Sequence, residues 1–209
     1  MIVVLELAGF PDKICAVKRI PDFSWKEGAN YEIVYRKLGI LLITVTLCRR
    51  NLFRLFNLSA IPERTSFYAL PEFSLLYTFA GHIQCENAAF IAAQPEELPL
   101  SFQGRRCVAI LDSSNTALRA AAAQLRMPSL TCGLSGADTF TMSSWQRDRA
   151  VISLLRPLTA FDGTVVEPFE VPVAFEIPPD PFDLLACAAV YVMLGQRCPL
   201  NQLELWNLP

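Results

Sequence analysis

Hydrophobic positions along this chain change their rhythm several times, and each change marks a different element. Cys107 to Leu111 is almost uninterruptedly apolar, the pattern of a strand buried on both faces of a parallel sheet. A polar tetrad follows, Asp112-Ser113-Ser114-Asn115. Next comes a helical period in which Ala117, Leu118, Ala121, Ala122 and Leu125 share one face while Arg119, Gln124 and Arg126 point to water. Asn115 is a good N-cap for that helix and Pro128 stops it. Leu130 to Cys132 then predicts a second strand, closed by Gly133. The stretch 106–133 therefore predicts a β-α-β unit, with its polar tetrad just past the carboxyl end of a strand, where α/β folds bind ligands.

Either side of this unit the pattern continues. Phe73 to Phe79 and Ala88 to Ala92 predict strands. Thr139 to Ser144, Ala150 to Leu155 and Val165 to Phe175 are strand-like runs divided by turns at Gln146–Asp148 and Asp162-Gly163. They predict an antiparallel meander, with Pro157, Pro168 and Pro172 at bulges or edges. Asp180-Pro181-Phe182-Asp183 opens a last helix with an N-cap aspartate, a proline at the first helical position and an acid in the first turn. It is apolar nearly all round to Leu194, so it should be buried, and Gly195 ends it. The fold class this implies is α/β, a mostly parallel Rossmann-like sheet with an appended antiparallel β-meander.

The division along the chain is into 1–71, a poorly defined N-terminal extension or partial subdomain, 72–197, the α/β domain, and 198–209, a C-terminal tail. In the first part Pro11, Pro21, Gly28 and Asn30 punctuate short segments, and Asn51 to Leu58 reads as a short helix. Leu38 to Cys48 is an apolar run bracketed by Arg36-Lys37 and Arg49-Arg50. It is too short to span a bilayer, which takes about 20 residues. A buried strand is the plain reading, since Ile43, Val45 and the threonines favour strand. The other is a working surface over 36–58 that docks a protein partner. Met1 to Leu7 lacks a basic flank and contains Glu6, so it makes a poor signal peptide.

Composition narrows the classes. Hydrophobic residues make up 53% and charged residues 18%, which supplies a core and argues against disorder. With a net charge of −2 and no basic block, nucleic acid is not an expected partner. Seven cysteines without a CxxC pair, most of them in apolar runs, fit a reduced cytoplasmic protein with buried thiols. No transmembrane segment is expected.

Candidate chemistry is sparse. Asp112, Ser113 and Asn115 could hydrogen-bond a small-molecule ligand at the strand terminus, or could simply cap the helix. Thr131-Cys132-Gly133 with Ser135-Gly136-Ala137-Asp138 forms a second polar, glycine-punctuated turn that would share a crevice with the tetrad. The candidate ligand-binding residues are accordingly Asp112, Ser113, Asn115 and Gly133. His82, the single histidine, stands near Cys85 and Glu86, but no second ligand pair accompanies them, so no metal site is expected. No nucleophile elbow of the Gly-x-Ser-x-Gly kind exists, and no catalytic residue or cofactor is assigned. Glu167 and Glu170 would lie on opposite faces of a regular strand, which argues against a carboxylate pair.

The succession Val108–Asn115, the 116–126 helix, Leu130–Gly133, the 139–175 meander, and Asp183–Gly195 with its Ala188-Ala189 pair resembles the later part of the central ATP-binding domain of the Mur ligases and folylpolyglutamate synthetases. The resemblance covers about residues 72–197 and is architectural. It implies an ATP-dependent ligase ancestry, yet the machinery of that family is missing. No Gly-Lys-Thr/Ser phosphate loop occurs in the chain. Leu75, Leu76, Tyr77 and Thr78 stand where the family's magnesium-binding glutamate would fall. Gln94, Glu96 and Glu97 follow the 88–92 strand where its histidine would be, and no lysine occurs after Lys37. The resemblance thus implies a non-catalytic binding or regulatory protein acting through a protein partner or a small ligand. Two alternatives stand beside it: a subunit of a two-chain ligase whose partner supplies the phosphate loop, and a thiol-dependent hydrolase.

Overall fold

The structure is a computed structural model that describes residues 88–195 and 205–206 in full. It adds, as strand backbone alone, residues 2–6, 14–19, 31–35, 41–44, 66–69, 74–77, 82–87 and 207–208. Among the described residues the strands form one mixed, largely parallel sheet and a small antiparallel ribbon, with few helices. Two long strands make its centre, β7 (His82–Ala92) and β8 (Ser101–Asp112), parallel along their whole length. Along its other edge β7 carries two neighbours in succession. β3 (Tyr31–Tyr35) pairs with its first residues and β4 (Leu41–Thr44) with its last, from Ala88 to Ile91. β1 (Ile2–Glu6) and β2 (Ile14–Arg19) extend the first branch; β6 (Ser74–Tyr77) and β5 (Ser66–Ala69) extend the second.

The β-α-β unit forms as its sequence pattern demands. α1 (Thr116–Gln124) leads from β8 to β9 (Ser129–Cys132), which pairs parallel with β8 from Ala109↔Ser129 to Asp112↔Cys132. Beyond β9 come β10 (Phe140–Trp145), β11 (Arg149–Leu154) and β14 (Phe169–Phe175), and β15 (Trp206–Leu208) adds in parallel at the end. The meander is thus continuous with the parallel sheet rather than separate from it, because β10 pairs directly with β9. The Val165–Phe175 run is not one strand. Val165–Val166 is β13, which pairs with β12 (Leu158–Thr159) across the Asp162-Gly163 turn as a separate ribbon, and Pro168 separates it from β14. Pro172 pairs with Val151 on one side, while β15 begins pairing only at Val173, so the missing N–H costs no sheet bond on that flank.

Side-chain alternation sorts the core into two layers. Ala88, Phe90, Ala92, Cys107, Ala109 and Leu111 pack with Leu118 and Ala122 of α1 on one face. Ala89, Ile91, Val108 and Ile110 pack on the other, under α2 (Pro181–Met193). A period of two thus places apolar side chains on both faces, as helices covering both sides require. α2 is buried nearly all round, from Phe182 to Val190 and at Val192 and Met193. Asp180 caps it, Oδ1 accepting from Phe182 N at 2.9 Å and Asp183 N at 3.1 Å. At its other end Gly195 takes φ +64, the left-handed stop. The Cys187 thiol, wholly enclosed, is pushed well above its usual pKa by burial, with Asp183 adding to the effect.

The sheet curls where β8 passes Arg106, which adopts φ +51, a conformation uncommon outside glycine. Residues Cys107–Leu111 beyond it are buried, whereas Ser101 and Gln103–Arg106 before it are exposed. Phe102 packs edge-to-face on Phe90, with ring centroids 5.3 Å apart. Phe90 is in register with Ala109, and a straight strand would hold Phe102 about 20 Å from that residue. The strand therefore bends toward the α1 face of the sheet, where Phe102 packs against that layer of the core.

Of the 36–58 segment, Leu41–Thr44 is a strand paired on both sides, by β6 and β7, as the strand reading expects; the burial of its side chains lies outside the described residues. The rest of that segment, including the 51–58 helix expectation, lies outside the described residues. Among the described residues no helix is long and apolar enough to cross a membrane.

Candidate functional site at the carboxyl edge of the sheet

β7, β8 and β9 run in parallel, so Ala92, Asp112 and Cys132 bring their carboxyl ends to one edge. The sequence-predicted residues all lie here, but they divide into two groups. Asp112 and Asn115 are occupied with local structure. Asp112 Oδ1 accepts from Ser114 N at 2.9 Å, and its carbonyl accepts from Asn115 N at 3.3 Å. Asn115 caps α1, its Oδ1 accepting from Leu118 N at 3.0 Å. Its amide group reaches the other way and donates to Ala93 O at 3.0 Å and Gln94 Oε1 at 3.1 Å. One side chain thus ties the start of α1 to the end of β7. Glu97 holds the same link from behind, accepting from Ala93 N at 2.6 Å.

Ser113 and Gly133 form the second group. Ser113 N donates to Cys132 O at 3.0 Å, which carries the end of β8 alongside Gly133. A Cβ on Gly133 would overlap Ser113 Oγ and stand 2.6 Å from Asp138 Oδ2, so only glycine leaves room for these two side chains. Asp138 is the residue that sequence reasoning left out of the site, having placed it only in the adjoining turn. It is 3% exposed. Its Oδ2 accepts from Ser135 N at 3.0 Å, and its own N–H donates to Ser135 O at 3.0 Å, so it closes the 135–138 turn upon itself. Only a weak signal for it stands in the sequence: an aspartate ending a Gly-punctuated turn at the start of a strand.

This turn connects two parallel strands without a helix. A parallel return ordinarily needs a dozen or more residues. Here β10 begins where β9 ends, with Phe140 level with Cys132, so the chain only steps sideways. Thr139 N donates to Thr131 O at 3.0 Å and Gly133 N to Phe140 O at 3.1 Å, fixing that step. As a consequence the rest of β10 projects past the carboxyl edge and walls one side of it. Arg156 Nη2 donates to Ala137 O at 3.0 Å and holds the outer side of the turn.

Among the described residues acids dominate the charged groups here. Asp112, Glu97 and Asp138 lie at the edge, and the arginine tied to it spends a donor on a carbonyl. Such an edge suits a ligand that brings hydrogen-bond donors and disfavours a polyphosphate. Among the described residues no three metal-ligating side chains converge. The side chains of His82, Cys85 and Glu86 lie outside the described residues, whereas Cys107, Cys132 and Cys187 are buried in the core. Ser153 Oγ donates to Glu170 Oε1 at 2.8 Å across the meander, so Glu170 works in a strand pair. Asp148 and Arg149 form an exposed ion pair at 3.3 Å, as a solvated turn would. No protein-family model and no curated protein sequence matches this chain, which leaves the geometry above as the ground for function.

Proposed function

We propose that this is a binding protein, a Rossmann-like relative of the Mur ligase central domain that takes a small polar ligand at the carboxyl edge without ATP chemistry. What carries the reading is the convergence of Ser113 and buried Asp138 over Gly133, where parallel strands end and where α/β sheets bind ligands. The kinship is supported by the succession of strand, polar tetrad, helix, strand, glycine turn and meander, closed by a buried alanine-containing helix that stops at Gly195. The binding role is supported by what the edge lacks in sequence, a phosphate loop, and by its acidic character. The ligand reading is preferred to docking through 36–58 because Leu41–Thr44 is paired on both sides and has no free edge to offer.

The test is an amide-resolved NMR screen of the full chain against a library of small polar fragments. Binders should move the amides of 112–116 and 133–138 together, and Gly133→Ala should abolish those shifts while leaving the rest of the spectrum in place. Binders that consistently perturb some other surface would refute the reading.

A further inference from the structure

Resting on that reading, we infer that the Ser113–Gly133–Asp138 site receives an organic cation, a primary ammonium group, rather than an anion or a neutral sugar hydroxyl. Asp138 is a carboxylate almost wholly withdrawn from water, and among the described residues its one donor is Ser135 N, on Oδ2. An ionised carboxylate has room for about four donors, so the Oδ2 that faces Gly133 still has room for one more. Ser113 Oγ, directed at the same space over Gly133, makes no hydrogen bond among the described residues. A buried carboxylate with one neutral donor is costly unless a charge or further donors reach it. An ammonium group supplies both: a positive charge for Asp138 and N–H donors enough for Oδ2 and Ser113 Oγ together.

The same geometry rejects the alternatives. A phosphate would bring negative charge against Asp138, and like charges disfavour one another at such range. A bound calcium ion takes six to eight oxygen ligands, and the described residues offer no cluster of three acids, histidines or thiols.

Three probes separate these outcomes on the full chain: ethanolamine, ethylene glycol and inorganic phosphate, each titrated while the amides of Ser113, Gly133 and Ser135 are followed. Ethanolamine should give saturable shifts there and ethylene glycol none. Asp138→Asn should weaken ethanolamine about tenfold or more, and Ser113→Ala about threefold. If Asp138→Asn does not fold, Ser113→Ala and the comparison of the two probes on the unaltered chain still decide. Equal shifts from ethylene glycol, or shifts from phosphate alone, would overturn the ammonium assignment while leaving a ligand site at this edge. Silence of these amides to all three probes overturns the assignment as well, and the fragment screen then decides separately whether any ligand binds here.

Discussion

Asn115 offers the sharpest test of how the carboxyl edge is held. Its Oδ1 caps α1 through Leu118 N, and its amide group donates to Ala93 O and Gln94 Oε1. Asn115→Ala removes both functions. Loss of an N-cap costs about 1 kcal/mol. Depriving the part-buried Ala93 carbonyl of its donor costs about 1 kcal/mol more, while the exposed Gln94 contact adds little. The alanine variant should therefore lose about 2 kcal/mol, a fall in Tm of about 4–8 °C for a chain of this size. Asn115→Ser keeps an oxygen for the cap but cannot reach across to β7, so it should lose about 1 kcal/mol. Urea denaturation followed by far-ultraviolet circular dichroism would measure both, with unchanged slopes showing that the unfolding reaction is the same. Equal losses in the two variants would mean that the tie to Ala93 contributes nothing, and the account of Asn115 as a cross-link would be wrong.

Three further outcomes are expected. Gly195→Ala should destabilise by about 1–2 kcal/mol, because φ +64 disfavours a Cβ and that atom would overlap Asp162; adding Asp162→Ala should recover only the part due to overlap. Cys187 should resist iodoacetamide at neutral pH until urea unfolds the chain, since its thiol is enclosed and its pKa is driven upward; mass spectrometry showing rapid native-state labelling would contradict its burial. The full chain should neither bind ATP at micromolar concentration in magnesium nor hydrolyse it, and calorimetric heat from such binding would refute the proposed loss of phosphate chemistry.

What the sequence made legible was whatever burial and capping impose locally. The unbroken apolar run at Cys107–Leu111, the cap at Asn115 and the Asp180-Pro181 opening each specify their element without help from distant residues. The first halves of β7 and β8 were not legible. Ser101-Phe102-Gln103-Gly104-Arg105-Arg106 has no alternation, because these residues are mostly exposed and owe their extended form to pairing with β7. Val165–Phe175 read as one β-rich run with Pro168 at a bulge or edge; the pairing of Val165–Val166 with Leu158–Thr159 shows that the break at Glu167-Pro168 separates two sheets. At the site, Ser113 and Gly133 could be chosen because they flank strand ends. Asp138 showed only as the end of a Gly-punctuated turn, because its place over Gly133 comes from the fold.

The branching at β7 bears on how this chain can be cut. A fragment starting at residue 72, where the sequence pattern sharpens, would keep β7 but remove both β3 and β4, which pair with its outer edge. It would bare the backbone of Ala88–Ile91, an apolar stretch whose unpaired N–H and C=O groups invite strands from other molecules. Such a fragment should come out of cells as insoluble aggregate, although its helices and caps are intact. Supplying a soluble peptide that contains Leu41–Thr44 would be a rational rescue, because that strand is the natural cover for this edge.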